Sequence, residues 1–263
     1  MEFIIIALTV LIGAGLTFFG LGTLMLPVFS LFFPLPIAVG ATAVVHLANN
    51  IFKFALVSKH IHYKTLLRFG IPALIFASVG GYLLTLFGEM TPLTTYNIAD
   101  HTFEISTTKI VIGGLMIFFA WFDLDPRFDD LEIEKKHIPF GGALSGFFGG
   151  VSGHQGAFRA AFLSKAGLTK EQFIGTSNAV SLIVDIARLS IYFAAANVIA
   201  GDENKFITAI TEGKMLLIVG VVFAFLGTFL GKQLVKKTTI KEIQRVLGVL
   251  LFLMGGLMLA GIL

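Results

Sequence analysis

Two groups of polar residues recur at one spacing. Thr42, His46, Asn50 and Lys53 stand at offsets 0, 4, 8 and 11, and Ser177, Ser181, Asp185 and Arg188 stand at the same offsets. On an α-helix those offsets share a face, with Asn49 and Asn178 beside it. Hydroxyls, carboxamides and basic side chains on such a face can hold a small anion. A histidine, which titrates near ~6.5 when unperturbed, or a carboxylate can carry a proton. A third group, Ser152, His154, Gln155 and Arg159, follows a run of glycines. A helix that restarts near 154–158 turns its free N–H groups and positive dipole end toward an anion, with Arg159 one turn along. Each residue also has a plainer role. Lys53 can snorkel to a membrane surface, Asp185 and Arg188 can pair across one turn, and His46 and His154 can be satisfied buried histidines. Insertion scales charge about 2.5–3.5 kcal/mol for an Arg at the centre of a membrane helix, so Arg188 needs a function or a partner.

The elements that must position these residues are apolar. Of 263 residues, 56% are hydrophobic, a further 29 are Gly, and 13% are charged. A soluble domain has ~45–50% apolar residues, Gly included, and ~25% charged. So few charges cannot cover a soluble surface of this size. With no cysteine, the numbers exclude a disordered chain, a disulfide scaffold and an ordinary cytosolic enzyme. They leave a polytopic membrane protein. Eight apolar stretches, lettered A to H, run near 3–33, 37–57, 66–87, 108–122, 138–164, 173–199, 212–234 and 242–263. Met1-Glu2-Phe3 carries no basic region, so a cleaved signal peptide is not expected. A and E are the odd ones, long and interrupted by glycine clusters: Gly13, Gly15, Gly20 and Gly22 before Thr23 and Pro27 in A; Gly141, Gly142, Gly146, Gly149, Gly150, Gly153 and Gly156 in E. We read both as backbone that breaks into half-helices, which a membrane tolerates only where the break is buried in protein or lines a cavity.

The chain also repeats itself. Phe18-Phe19-Gly20 matches Phe147-Phe148-Gly149, Gly40-Ala41-Thr42 matches Gly175-Thr176-Ser177, and Gly113 and Gly248 open similar runs in D and H. The charged stretch 123–137 divides a first repeat, 1–122, from a second, 138–263. Lys and Arg collect on the cytoplasmic side. The B–C junction, with Lys59 and Lys64, and the G–H junction, with Lys236 and Lys237, both read as inside. The C–D segment, 88–107, has no Lys or Arg, and with the F–G segment it reads as outside. Eight simple crossings would set the two basic junctions on opposite sides. The conflict disappears if A and E dip in and return. The expected fold is then an all-α integral membrane protein of two inverted repeats of four apolar segments, the first of each a broken or re-entrant helical hairpin. About six segments cross, the 123–137 linker is cytoplasmic, and both termini lie outside. Inverted repeats with interrupted helices at the midplane are a recurring transporter plan.

Other chemistry is thin. There is no Walker A motif, no His-Glu-x-x-His or cysteine set for zinc, no Gly-x-Ser-x-Gly elbow and no dinucleotide fingerprint after Gly20-x-Gly22. No metal, cofactor or nucleic acid is expected. The net charge of +3 comes from basic cytoplasmic edges that anionic lipids attract.

Taken together, Gly20, Gly22 and Pro27, Ala38-x-Gly40-Ala41-Thr42, Asn49-Asn50-x-x-Lys53, Ile61-His62-Tyr63, Gly146-Phe147-Phe148-Gly149-Gly150 and Gly175-Thr176-Ser177 resemble the sulfite exporter TauE/SafE family. That family is a group of small bacterial and plant membrane transporters. The resemblance covers nearly the whole chain and implies a carrier, not an enzyme, for sulfur-containing anions such as sulfite and sulfonates. One departure is Ser152-Gly153-His154-Gln155-Gly156, where the family would have a small or Gly/Pro-rich turn. The expectation is therefore a secondary anion transporter of the cytoplasmic membrane, working by alternating access with proton coupling. The rivals are an anion channel on the same scaffold and, further off, a membrane-embedded enzyme. Its partners are a small anion and membrane lipids, and a homo-oligomer stays open. The expected substrate-binding residues are Thr23, Asn50, Lys53, Ser152, Gln155, Arg159, Ser177, Asn178 and Arg188. The proton-coupling candidates are His46, His154 and Asp185.

The inverted arrangement has a direct test. Single cysteines placed at Lys59 and Lys236 of this cysteine-free chain should react with a membrane-impermeant thiol reagent from the same side, the cytoplasm. Labelling from opposite sides would sink the inverted scheme.

Overall fold

The computed structural model describes residues 25–26, 28–88, 92–98, 101–128, 133–198, 208, 211–234 and 240–263. Most of segment A, including its glycine clusters and Thr23, lies outside the described residues. Segment B is helix α1, Leu35–Val57, and segment C is α2, Tyr63–Gly88. Segment D is α3, Thr107–Leu124. Segment E is two helices, α4, Ile138–Ser152, and α5, Gly156–Ser164. Segments F, G and H are α6, Lys170–Val198, α7, Lys214–Leu234, and α8, Ile240–Leu259. Local chemistry sets several of these boundaries. Pro36 sits in the first turn of α1, where its missing N–H costs nothing. Ser106 caps α3 by accepting a hydrogen bond from the Lys109 N–H.

The C–D segment, read as a loop, instead holds an antiparallel hairpin. Strand β1, Thr94–Ile98, pairs with β2, His101–Ile105, and Tyr96 faces Phe103. The hairpin is not isolated. The Tyr96 hydroxyl donates to the Ala260 carbonyl, and Lys109 Nζ donates to Gly261 O at 3.1 Å. The end of α8 therefore docks against this hairpin. In the linker, the Arg127 side chain hydrogen-bonds Asp125 and holds its carboxyl down at about 2. That pair is solvated and contributes little to stability.

Among the described residues, four helices are long and apolar enough to cross a membrane: 37–60, 63–86, 107–124 and 170–195. Shorter apolar helices cover 214–229 and 248–259. Their outer faces are oily. Leu67, Ile71, Ile75, Val79 and Tyr82 of α2 are exposed, as are Met215, Ile218, Val222 and Phe229 of α7 and Val249, Phe252 and Leu253 of α8. Lys53, Arg159, Asp185 and Arg188 are buried inside. Oil outside and charge inside reverse the order of a soluble protein, as expected where lipid is the solvent.

The glycines of E turn out to do two different jobs. Gly142, Gly146 and Gly150 lie on one face of a continuous α4, and a Cβ on each would fall 2.2 Å from a backbone oxygen of α2, at Phe69, Ala73 and Ala77 respectively. Gly80 of α2 returns the contact against Phe147 O, also at 2.2 Å. These glycines bring two helix backbones together, the small-residue packing common between membrane helices. Reading them as breaks was therefore too broad. Segment E breaks at Gly153, which has φ +81° and ends α4 in the left-handed region that glycine enters freely. Beyond it, α5 folds back along α4, so that a Cβ on Gly141 would meet the Phe162 ring at 2.2 Å. At ~1.5 Å per residue, α4 is roughly 22 Å long and α5 roughly 14 Å, and neither alone spans a hydrocarbon core of ~30 Å.

If the α2–α4 contact is this close, Gly146→Ala should lower the thermal midpoint of the purified protein, at a cost of about 1–3 kcal/mol for overpacking. Gly114→Ala should hold or raise it, because a Cβ there meets nothing within 4 Å and alanine favours helix. Equal midpoints for the two variants would refute the backbone-to-backbone contact.

Candidate functional site

Helices α1 and α6 carry the two polar stripes, and the stripes face each other. Thr42, His46, Asn50 and Lys53 are all buried, as are Ser177, Ser181, Asp185 and Arg188. An unpaired buried charge costs several kcal/mol, so the partners decide what each group does. Asp185 is fully buried and sits at the crossing point. Its Oδ1 accepts from Arg188 Nη2 at 2.8 Å and from Gln155 Nε2 at 3.4 Å. Its Oδ2 accepts from Asn50 Nδ2 at 2.7 Å and lies 2.8 Å from His46 Nδ1. One carboxylate thus joins α1, α6 and the break at Gly153.

Arg188 also reaches the end of α4. Its Nη1 points at Gly149 O, 3.5 Å away, and the Tyr192 hydroxyl donates to Gly150 O. The last carbonyls of a helix lack intrahelical partners, and a cation there is favoured by the helix dipole. The break leaves no room for a side chain, since a Cβ on Gly153 would lie 2.8 Å from Arg188 Nη1. The sequence reading did not include Tyr192. Its signal was available, because it stands four residues after Arg188 on the same helix face.

A small cavity, about the size of one water, opens between α1, α5 and α6. Its lining is His46, Asn50, Lys53, Arg159, Ile174, Ser177, Asn178 and Ser181. It therefore brings together His46 and five of the nine residues expected to bind substrate. Arg188, Ser152 and Gln155 do not line it and stand behind it in the Asp185 network and the α4 end. Thr23 lies outside the described residues. His154 also sits apart. Its Nδ1 is 3.0 Å from Ser152 Oγ, and its ring stacks on Phe119 with centroids 5.6 Å apart. Ser181, a member of the repeated stripe, was not among the expected binding residues but lines the cavity.

Several polar atoms around the cavity have no hydrogen-bond partner among the described residues: Arg159 Nε and Nη1, Ser177 Oγ and Asn178 Oδ1. Asn178 uses its Nδ2 to hold Asn50 Oδ1 at 3.2 Å. Asn49 turns away and accepts from Thr228 Oγ1 of α7 at 2.8 Å. In formal charge the buried cluster holds Lys53, Arg159 and Arg188 against the carboxylate of Asp185. Among the described residues, no carboxylate lines the cavity itself. In its charge and its donors, such a lining is complementary to a small anion.

The family model described as Sulfite exporter TauE/SafE matches residues 3–258. No curated protein and no solved structure is matched by the chain.

Removing the shared carboxylate should be costly. Asp185→Asn leaves Arg188 without its counter-charge and should cost about 3–5 kcal/mol, read as a lower thermal midpoint in detergent. The double variant Asp185→Asn with Arg188→Gln should recover part of that loss. A double variant no better than the sum of the two single ones would mean that the pair does not couple.

Proposed function

This chain belongs to the sulfite exporter TauE/SafE family, and from that premise we propose that it is a secondary transporter that carries a small sulfur-containing oxyanion, sulfite or a sulfonate, across the cytoplasmic membrane by alternating access with proton coupling. The observation that carries this reading is the cavity between α1, α5 and α6. Lys53 and Arg159 line it beside Asn50, Ser177 and Asn178, and among the described residues no carboxylate does. Lys53 and Arg159 supply the charge, and the carboxamides and hydroxyl supply neutral donors. Charge-assisted hydrogen bonds are the stronger kind, and the unpartnered donor atoms of Arg159 gain most from a ligand. Arg188 holds Asp185 and the α4 end in place instead of touching the anion.

Alternating access needs two halves that rock about a central site. The reading of segment E as a dip is supported by the way its ends meet. Lys135 precedes α4 and Gly167 follows α5, and a Cβ on Gly167 would lie 2.7 Å from Lys135 Nζ. The polypeptide then enters and leaves on one side, with Gly153 at the deep point. The inverted repeats are supported by two other neighbours. The B–C junction touches the start of α6, where the His62 N–H donates to Thr176 Oγ1 at 2.9 Å, and both read as cytoplasmic. The hairpin in the C–D segment touches residues 260–261, through Tyr96 on Ala260 and Glu104 O, which would lie 2.6 Å from a Cβ on Gly261, and both read as outside. The cavity is enclosed by residues that are mostly buried, which suits a carrier's closed state better than a continuous pore.

Purified protein in proteoliposomes should take up sulfite against its gradient when a proton gradient is imposed. Arg159→Gln and Lys53→Gln should each slow initial uptake about 10- to 100-fold, the loss of a hydrogen bond to a charged group worth about 1.5–3 kcal/mol. Downhill flux alone, with no exchange of labelled for unlabelled anion, would favour a channel. Unchanged uptake in both variants would remove the cavity from the mechanism.

A further inference from the structure

Resting on the anion-transport reading, we infer that His46 binds the coupled proton, taking it up together with the anion, and that Asp185 is the positioning residue that aims its ring. Three groups were open to this role, and their surroundings separate them. His154 stacks on Phe119 and pairs with Ser152, away from the cavity lining. Asp185 already accepts from Arg188, Asn50 and Gln155 and faces His46, so its lone pairs are engaged. His46 alone of the three lines the cavity.

The hydrogen bonding fixes which nitrogen is used. An ionised carboxylate only accepts, so the 2.8 Å contact with Asp185 Oδ2 puts the hydrogen on His46 Nδ1, and Asn50 Nδ2, 3.1 Å from the same nitrogen, makes its shorter bond to Asp185 Oδ2 at 2.7 Å. That leaves the lone pair on Nε2. The step is a proton transfer from hydronium to Nε2, with no other bond made or broken. The charged groups around the ring explain why the proton should come with the anion. On its own helix His46 shares the cavity lining with Lys53, and from α6 Asp185 meets the ring while Arg188 pairs with the other oxygen of that carboxylate. Arg159 of α5 shares its cavity. Removal from water weighs against a further positive charge on the buried ring unless a counter-charge stands beside it. An anion seated between Lys53, Arg159 and His46 reverses that balance. Linkage is reciprocal, so the bound proton strengthens anion binding by the same factor.

Binding should be measured on the purified, detergent-solubilised protein by calorimetry, with methanesulfonate as probe, because this anion cannot itself carry the proton. Comparing buffers of different ionisation enthalpy counts protons. Wild type should take up about one proton per anion, and its affinity should weaken about tenfold per pH unit above the transition. His46→Gln, which can still donate to Asp185, should lose both the proton uptake and the pH dependence. Asp185→Asn should shift the pH dependence without removing it, a change that a purely structural role would not produce. Wild-type binding with no proton uptake overturns the inference and leaves anion transport standing. Uptake that persists in His46→Gln, or that vanishes in His154→Gln instead, also overturns it. Absence of binding by methanesulfonate, sulfite and sulfate alike removes the anion site and this inference with it. A wild type that takes up no proton overturns the inference even if a variant fails to fold, and the His46 and His154 variants assign the proton.

Discussion

The buried carboxylate of Asp185 holds the centre of this protein together. It accepts from a guanidinium on its own helix and a carboxamide on α1, meets a carboxamide at the broken segment, and faces the imidazole of His46. Without it, Arg188 would be an uncompensated charge in the apolar interior. With it, Arg188 is free to reach the carbonyl end of α4, and α1, α4 and α6 converge on one point. Pairs of this kind often add little net stability. Their worth here is positional, since the network fixes the orientation of His46 and Asn50 toward the cavity.

The second constraint is the closeness of α2 and α4. Glycines at 142, 146 and 150 let α4 rest on the backbone of α2, which anchors one arm of segment E. The other arm, α5, is short and carries Arg159. A broken segment with one fixed arm and one short arm presents a basic side chain to the buried cavity.

The family assigns the chain to membrane transport, and the arrangement of charge gives that assignment a physical shape. Basic groups outnumber acidic ones in the buried cluster, yet those toward the cavity are separated from those behind it. Arg188 is engaged by Asp185, whereas Lys53 and Arg159 line the cavity. Asn50 and Lys53 on α1 stand at the same offsets as Asp185 and Arg188 on α6.

Much of this was legible in the sequence. Composition established the membrane, apolar stretches located the helices to within a few residues, and offsets of 4 and 3 set the polar residues on shared faces, because helical periodicity is a local property of the chain. The break in E was visible as glycine followed by polar residues. Three-dimensional packing decided the rest. The sequence could not distinguish Gly146, which meets a neighbouring backbone, from Gly153, which turns the chain, because both differ from alanine only by what surrounds them. It could not rank Arg188 against Lys53 and Arg159, because that order depends on which guanidinium meets a carboxylate from the same helix. Nor did the C–D segment announce that its strands would pair and receive the chain's end. Local pattern states which residues share a face, and only tertiary packing states what that face meets.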